Sequence, residues 1–170
     1  MSRHPQRVLA AAPRAALRRS VAAAFLCLAP ALACAVPSTF GPVIGSAVLC
    51  RSHLDNAYFY AYMSSTFGPH YKHEGGAYWF KTGSASLWGA NVSDIMVSDD
   101  TSELIFVGAV SDADPDALEV AIRAASGLRH FKTDASAFPV RQSRPGSKIV
   151  YFFDKSKVYC AKYKPLPRAR

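Results

Sequence analysis

Apolar and polar positions along the chain predict a helix, four strands, a second helix and two final strands. Ser52-His53-Leu54-Asp55 has the spacing of a capping box, and behind it Leu54, Ala57, Tyr58, Ala61 and Tyr62 recur at helical spacing until Gly68-Pro69. Residues 77–82 (AYWFKT) and 85–90 (ASLWGA) are strand-like runs around Gly83-Ser84, which reads as a hairpin. Residues 92–98 and 103–110 flank four turn-formers, Asp99 to Ser102, and read as a second hairpin. The clearest helix follows. Asp114 caps it, Pro115 takes the first position, Leu118, Ala121, Ile122 and Ala125 form the buried stripe, and Gly127 ends it. Residues 147–153 (SKIVYFF) and 157–163 (KVYCAKY) close the pattern as a hairpin around Asp154-Lys155-Ser156.

This order predicts an α+β domain with a mainly antiparallel sheet of about six strands and two amphipathic helices, in the order α-β-β-β-β-α-β-β. Two helices cover only one face of such a sheet. The domain is expected over residues 50–164. An uncharged segment with two Pro and two Gly, residues 36–49, reads as an extended arm before it, and residues 165–170 as a flexible tail.

The first 35 residues change the picture of where the domain works. An Arg-rich stretch without acids precedes an apolar run (VAAAFLCLAPAL), and small residues at Ala31, Ala33 and Ala35 follow. Basic, apolar, small is the order of a secretory signal, with cleavage expected after Ala35 or Ala33. The expected address is therefore the periplasm or the exterior. Three alternatives stay open: a lipoprotein anchored through Cys34, a twin-arginine signal at Arg18-Arg19, and a mitochondrial transit peptide. Removal of the leader would take Cys27 and Cys34 with it, leaving Cys50 and Cys160 as an even pair expected to bond and to close the fold.

Charge is less extreme than it first looks. The formal +8 of the 170 residues includes five leader arginines; without them fifteen basic residues face twelve acids, a net +3. Such a total does not name nucleic acid as a partner. The layout is sharper than the total: residues 94–119 hold eight acids and no Lys or Arg, whereas residues 123–170 hold twelve basic residues against Asp134 and Asp154. Lys155, Lys157, Lys162 and Lys164 on the last hairpin are either edge protection or a patch for an anionic envelope surface.

Catalytic motifs are absent from the sequence: there is no CxxC, HExxH, phosphate loop or GxSxG elbow, and no cofactor is expected. One constellation stands out, His70, His73 and Glu74 on the loop before the first strand, a candidate for a divalent metal or for a base and its orienter. Against it stands a solvated Gly-rich turn. Tyr58, Phe59, Tyr60, Tyr62, Tyr71, Tyr78, Trp79, Phe80 and Trp88 fall within about 30 residues, more rings than one helix face can bury, so Phe59, Tyr60, Tyr71 and Trp88 are candidate interface residues. The composite expectation is an exported, non-enzymatic binding module for an unknown protein or envelope component. A small metal-dependent or hydrolytic enzyme centred on His70, His73 and Glu74, and an envelope protein held by its basic hairpin, are the alternatives.

Overall fold

A computed structural model describes residues 36–83 and 85–164. The expected leader, Cys34 and the tail 165–170 lie outside the described residues, as does Ser84. The chain folds as α+β, with three α-helices packed on a nine-stranded antiparallel sheet. In chain order these are α1 (Ser46–Val48), α2 (Asn56–Phe67), β1 (Lys72–Glu74), β2 (Ala77–Lys81), β3 (Ser86–Leu87), β4 (Ala90–Ser98), β5 (Leu104–Ser111), α3 (Pro115–Ser126), β6 (His130–Lys132), β7 (Arg141–Ser143), β8 (Lys148–Phe152) and β9 (Lys155–Tyr163). The strands lie in the order β1-β2-β4-β5-β9-β8-β7-β6, with β3 paired to β4 off this path.

The sheet is larger than the expected six strands, for a physical reason. β1 (KHE), β6 (HFK) and β7 (RQS) are short, polar and at or near the sheet edges, so they carry no apolar alternation to reveal them. The first expected hairpin is also corrected. Residues 77–81 pair with β4 and not with the run after Gly83, which contributes only the two-residue β3. The true neighbour is β1, joined to β2 through Gly75 and Gly76, both at positive φ as a tight two-residue turn requires. The β4–β5 and β8–β9 hairpins form as the pattern predicts.

Residues 36–49 are not an extended arm. Gly41–Gly45 form a π-helical turn that runs directly into α1. Phe40, Ile44, Ala47, Val48 and Leu49 are all buried, because this apolar segment supplies the cover for β5 and β9 between the two longer helices. The segment therefore belongs to the core, and the prolines and glycines sit at its turns. A disulfide between Cys50 and Cys160 closes it onto β9, with Cα atoms 5.2 Å apart.

α2 starts three residues later than the capping-box spacing suggests. Asp55, and not Ser52, is the cap, accepting from the Tyr58 amide at 3.0 Å. The face that turns inward carries Asn56, Phe59 and Met63, with Tyr60 and Phe67 half-buried beside them; Ala57, Tyr58 and Ala61 face solvent. Polar Asn56 is buried because its amide bonds Asp100 at 2.8 Å and accepts from Ser98 at 2.7 Å, pinning the helix start to the β4–β5 turn. α3 keeps its expected limits, with the Asp114 carboxylate accepting from the Asp116 and Ala117 amides and Gly127 at φ 72°.

All three helices pack on one face of the sheet, α2 over β2, β4 and β5, α1 over β5 and β9, and α3 over β8 and β9. That face contributes Phe80, Ile95, Val97, Val107, Ala109, Ile149, Val158 and Cys160 to the core. A β-bulge between Val92 and Asp94 returns Val92 to the same side, which a strict two-residue alternation would have turned away. The opposite face carries no helix among the described residues. It carries the site.

Candidate functional site

Strand alternation decides what the open face presents. Ala77 and Trp79 of β2, Met96 of β4, Leu104 and Phe106 of β5, Lys157, Tyr159 and Ala161 of β9 and Val150 of β8 point away from the helices and line a trough of about 460 Å³. Glu74 and Gly75 of the first hairpin form one rim. Met96 forms the floor, its side chain lying over Gly108, which stands between Met96 and Tyr159 in the ladder. A Cβ there would lie 2.4 Å from the Met96 Cε and 3.1 Å from the Tyr159 Cβ. A glycine at the centre of a long strand forgoes packing, and here it leaves room for Met96 and for the hollow above it.

The face curves. β2 and β8 are four strand spacings apart, ~19 Å on a flat sheet, yet the Trp79 and Phe152 rings approach to 6.3 Å between centroids. Trp79 thus reaches across the face to stack near Phe152, and walls the hollow on that side. Lys157 sits in it, its ammonium 3.9 Å from the Phe152 ring centroid and 5.2 Å from that of Trp79. Lys72 covers Trp79 at 4.5 Å. Burial lowers the Lys157 ammonium from its ordinary value, and the neighbouring Lys72 charge lowers it further. No carboxylate among the described residues lies within ion-pair distance of Lys157.

The nearby acids have other partners. Glu74 pairs with Lys72 at 3.1 Å. Asp94 accepts from Tyr71 and from Ser93, each at 2.8 Å, and pairs with Lys81 at 2.7 Å. Burial alone would raise Asp94, but these bonds outweigh it and hold the carboxyl below its usual range. The far end of the open face is therefore a satisfied polar cluster, and the trough holds an unmatched cation among aromatic rings.

The histidine loop is built differently from its sequence expectation. His73 bonds Asp99 through Nε2 at 2.6 Å and stacks on Tyr78; His70 Nδ1 meets the Tyr60 hydroxyl at 3.0 Å; Glu74 turns to Lys72. The Thr101 hydroxyl and amide, then His73, hold the Asp99 carboxyl down to about 2. No three metal-ligating groups converge among the described residues. Asp99 orients His73 as a base would be oriented, but no hydroxyl or thiol is hydrogen-bonded to His73 among the described residues.

The basic hairpin disperses as well. Lys155 pairs with Asp112 at 2.6 Å and Lys164 with Asp100 at 3.1 Å, Lys157 lies in the trough, and Lys162 is exposed. Of the aromatic candidates, Phe59 is 2% exposed and belongs to the core, which corrects its placement at an interface. Tyr60 is half-buried against Tyr78 and Phe80, and Trp88 is half-buried, close to Gly45. Tyr71 keeps half its surface but bonds Asp94 under the Lys81 ammonium. The residues that matter more, Trp79, Phe106, Tyr159 and Gly108, escaped sequence reasoning. Their signals were the alternation within AYWFK and the lone Gly within ELIFVGAV.

Comparison with protein-family models, curated proteins and solved structures finds no match to the chain, so its functional reading rests on geometry alone.

Proposed function

We propose that the protein is an exported, disulfide-stabilised binding module whose ligand seats in the trough of the open sheet face. The observation that carries this reading is the strand-centre glycine under an aromatic-walled hollow. An apolar concave surface with a few placed polar groups is the usual form of a small-molecule site, and about 460 Å³ falls within the range of such sites. Export is supported by the signal-like leader and by the Cys50–Cys160 bond, which fits an oxidising compartment. The reading is non-enzymatic, because the lining is mostly apolar and its one carboxylate, Glu74 at the rim, is paired with Lys72.

Nile red, an uncharged apolar dye, tests it. The dye is expected to brighten on binding and to quench Trp79 in a Trp88→Phe background, where Trp79 is the sole indole of the chain. Gly108→Leu, which fills the floor, is expected to abolish both signals with far-UV circular dichroism unchanged. Equal dye binding by wild type and Gly108→Leu would remove the trough from consideration.

A further inference from the structure

Lys157 turns the trough from a generally apolar hollow into one with a preferred ligand class. We infer that the trough takes a monomeric amphiphilic carboxylate, its apolar body lying over Met96 and Phe106 and its headgroup meeting the Lys157 ammonium beside Trp79. This deepens the binding reading above and rests on it.

Charge complementarity supplies the argument. An ammonium drawn out of water is costly unless an anion answers it. Lys157 receives only ring faces, 3.9 Å and 5.2 Å from its Nζ, and these offset part of the cost of a bare charge. Every acid near the face is already engaged: Glu74 by Lys72, Asp94 by Lys81, Tyr71 and Ser93, and Asp112 by Lys155. Among the described residues lining the trough, an incoming carboxylate therefore meets one unmatched cation, with Lys72, 4.5 Å from the Trp79 ring centroid, adding field of the same sign. Apart from the Tyr159 hydroxyl and Glu74 at the rim, which Lys72 engages, the lining is apolar: Ala77, Met96, Leu104, Phe106, Val150 and Ala161 suit a hydrocarbon body. The partner is taken to be small, because the trough holds about 460 Å³.

Decanoate and decanol, matched in chain length, separate head from tail in displacement of Nile red. Decanoate is expected to compete about tenfold or more better than decanol, the worth of one charge-assisted hydrogen bond. Lys157→Met should erase that preference while retaining dye and decanol binding, and Lys157→Arg should keep it. An unchanged thermal midpoint in Lys157→Met shows that the fold survives, and Lys157→Arg serves as the reporter should it not.

Equal competition by acid and alcohol, with Nile red still bound in a Gly108-dependent way, overturns the anion inference and leaves the binding reading standing. Failure of the dye and both competitors overturns the two together. Phosphatidylglycerol vesicles that bind through Lys157 when decanoate does not would assign the lysine to a membrane surface instead. A dimer in sedimentation velocity that Lys157→Met dissociates would assign the face to a second copy. Either result overturns the proposal.

Discussion

His130 is a buried, acid-sensitive group of the described fold. Its ring is buried beneath the β6–β7 hairpin, Nε2 meets the Ser147 hydroxyl at 3.2 Å, and Nδ1 has no partner. A buried N–H without an acceptor costs more than an unused lone pair, so the proton belongs on Nε2, donated to Ser147. Protonating Nδ1 would place a charge in the core, and burial, outweighing the opposing Glu119 charge, lowers this histidine to about 4. Linkage sets the sign. Between an unfolded value of ~6.5 and the folded one, the unfolded chain binds the extra proton, so stability rises with pH across that window and falls as pH drops through it. Urea unfolding at pH 7 and pH 4.5 should differ by roughly 2–3 kcal/mol from this group. His130→Gln should show a visibly shallower dependence; an equal slope in the variant would refute the assignment. The sequence did not announce this. His130 follows Gly-Leu-Arg with no apolar alternation around it, and only the β6–β7 pairing carries it inside.

At the scale of elements, α3 is fastened to the β6–β7 edge by an ion pair that surface inspection undervalues. Arg141 of β7 is 2% exposed, while its partner Asp116, in the first turn of α3, is 68% exposed. The guanidinium donates to Asp116 through Nε at 3.2 Å and Nη2 at 2.7 Å, donates to the Pro139 carbonyl, and lies over the Tyr151 ring. Truncating an exposed aspartate normally changes stability by within ~0.5 kcal/mol. Asp116→Ala should cost about 2–3 kcal/mol, because it strands a buried charge and not because it empties a surface. A loss under ~0.5 kcal/mol in chemical unfolding would show that the carbonyl and the ring suffice. The same pair shows where pattern reading stops. α3 was legible down to its caps, since Asp114, Pro115, Leu118, Ile122 and Gly127 act within the helix itself. α2 was legible in its existence and its stop at Gly68 but not in its start or orientation, because its aromatics lie on every side and only the sheet chooses Phe59 and Met63. β1, β6 and β7 are defined by their neighbours, as are the trough residues, whose side of the sheet depends on the bulge at Val92 and on β2 pairing with β4.

For the molecule as a whole, the question is what keeps one covered face and one open face together in a single small domain. Helices on one side alone bury half of what a two-sided sheet would bury, so the open face leaves stability to be found elsewhere. The Cys50–Cys160 bond supplies part of it. It spans 110 residues, from the end of α1 to the middle of β9, and so encloses every strand except the last residues of β9 itself. In the chain-entropy account, a loop of about that size restricts the unfolded state by up to ~4–5 kcal/mol, against a typical net stability of ~5–15 kcal/mol. The segment before the bond is also held by Phe40, Ile44, Val48 and Leu49, each worth roughly 1.5–3 kcal/mol when buried, so cutting the bond should not peel it away. The Cys50→Ala/Cys160→Ala variant should therefore unfold in urea as one transition, at a lower midpoint, with stability reduced by about 3–5 kcal/mol. A separate early transition would mean that the N-terminal segment depends on the covalent link. A loss below ~1 kcal/mol would mean that packing alone holds the open-faced sheet, and that the bond contributes little to its stability.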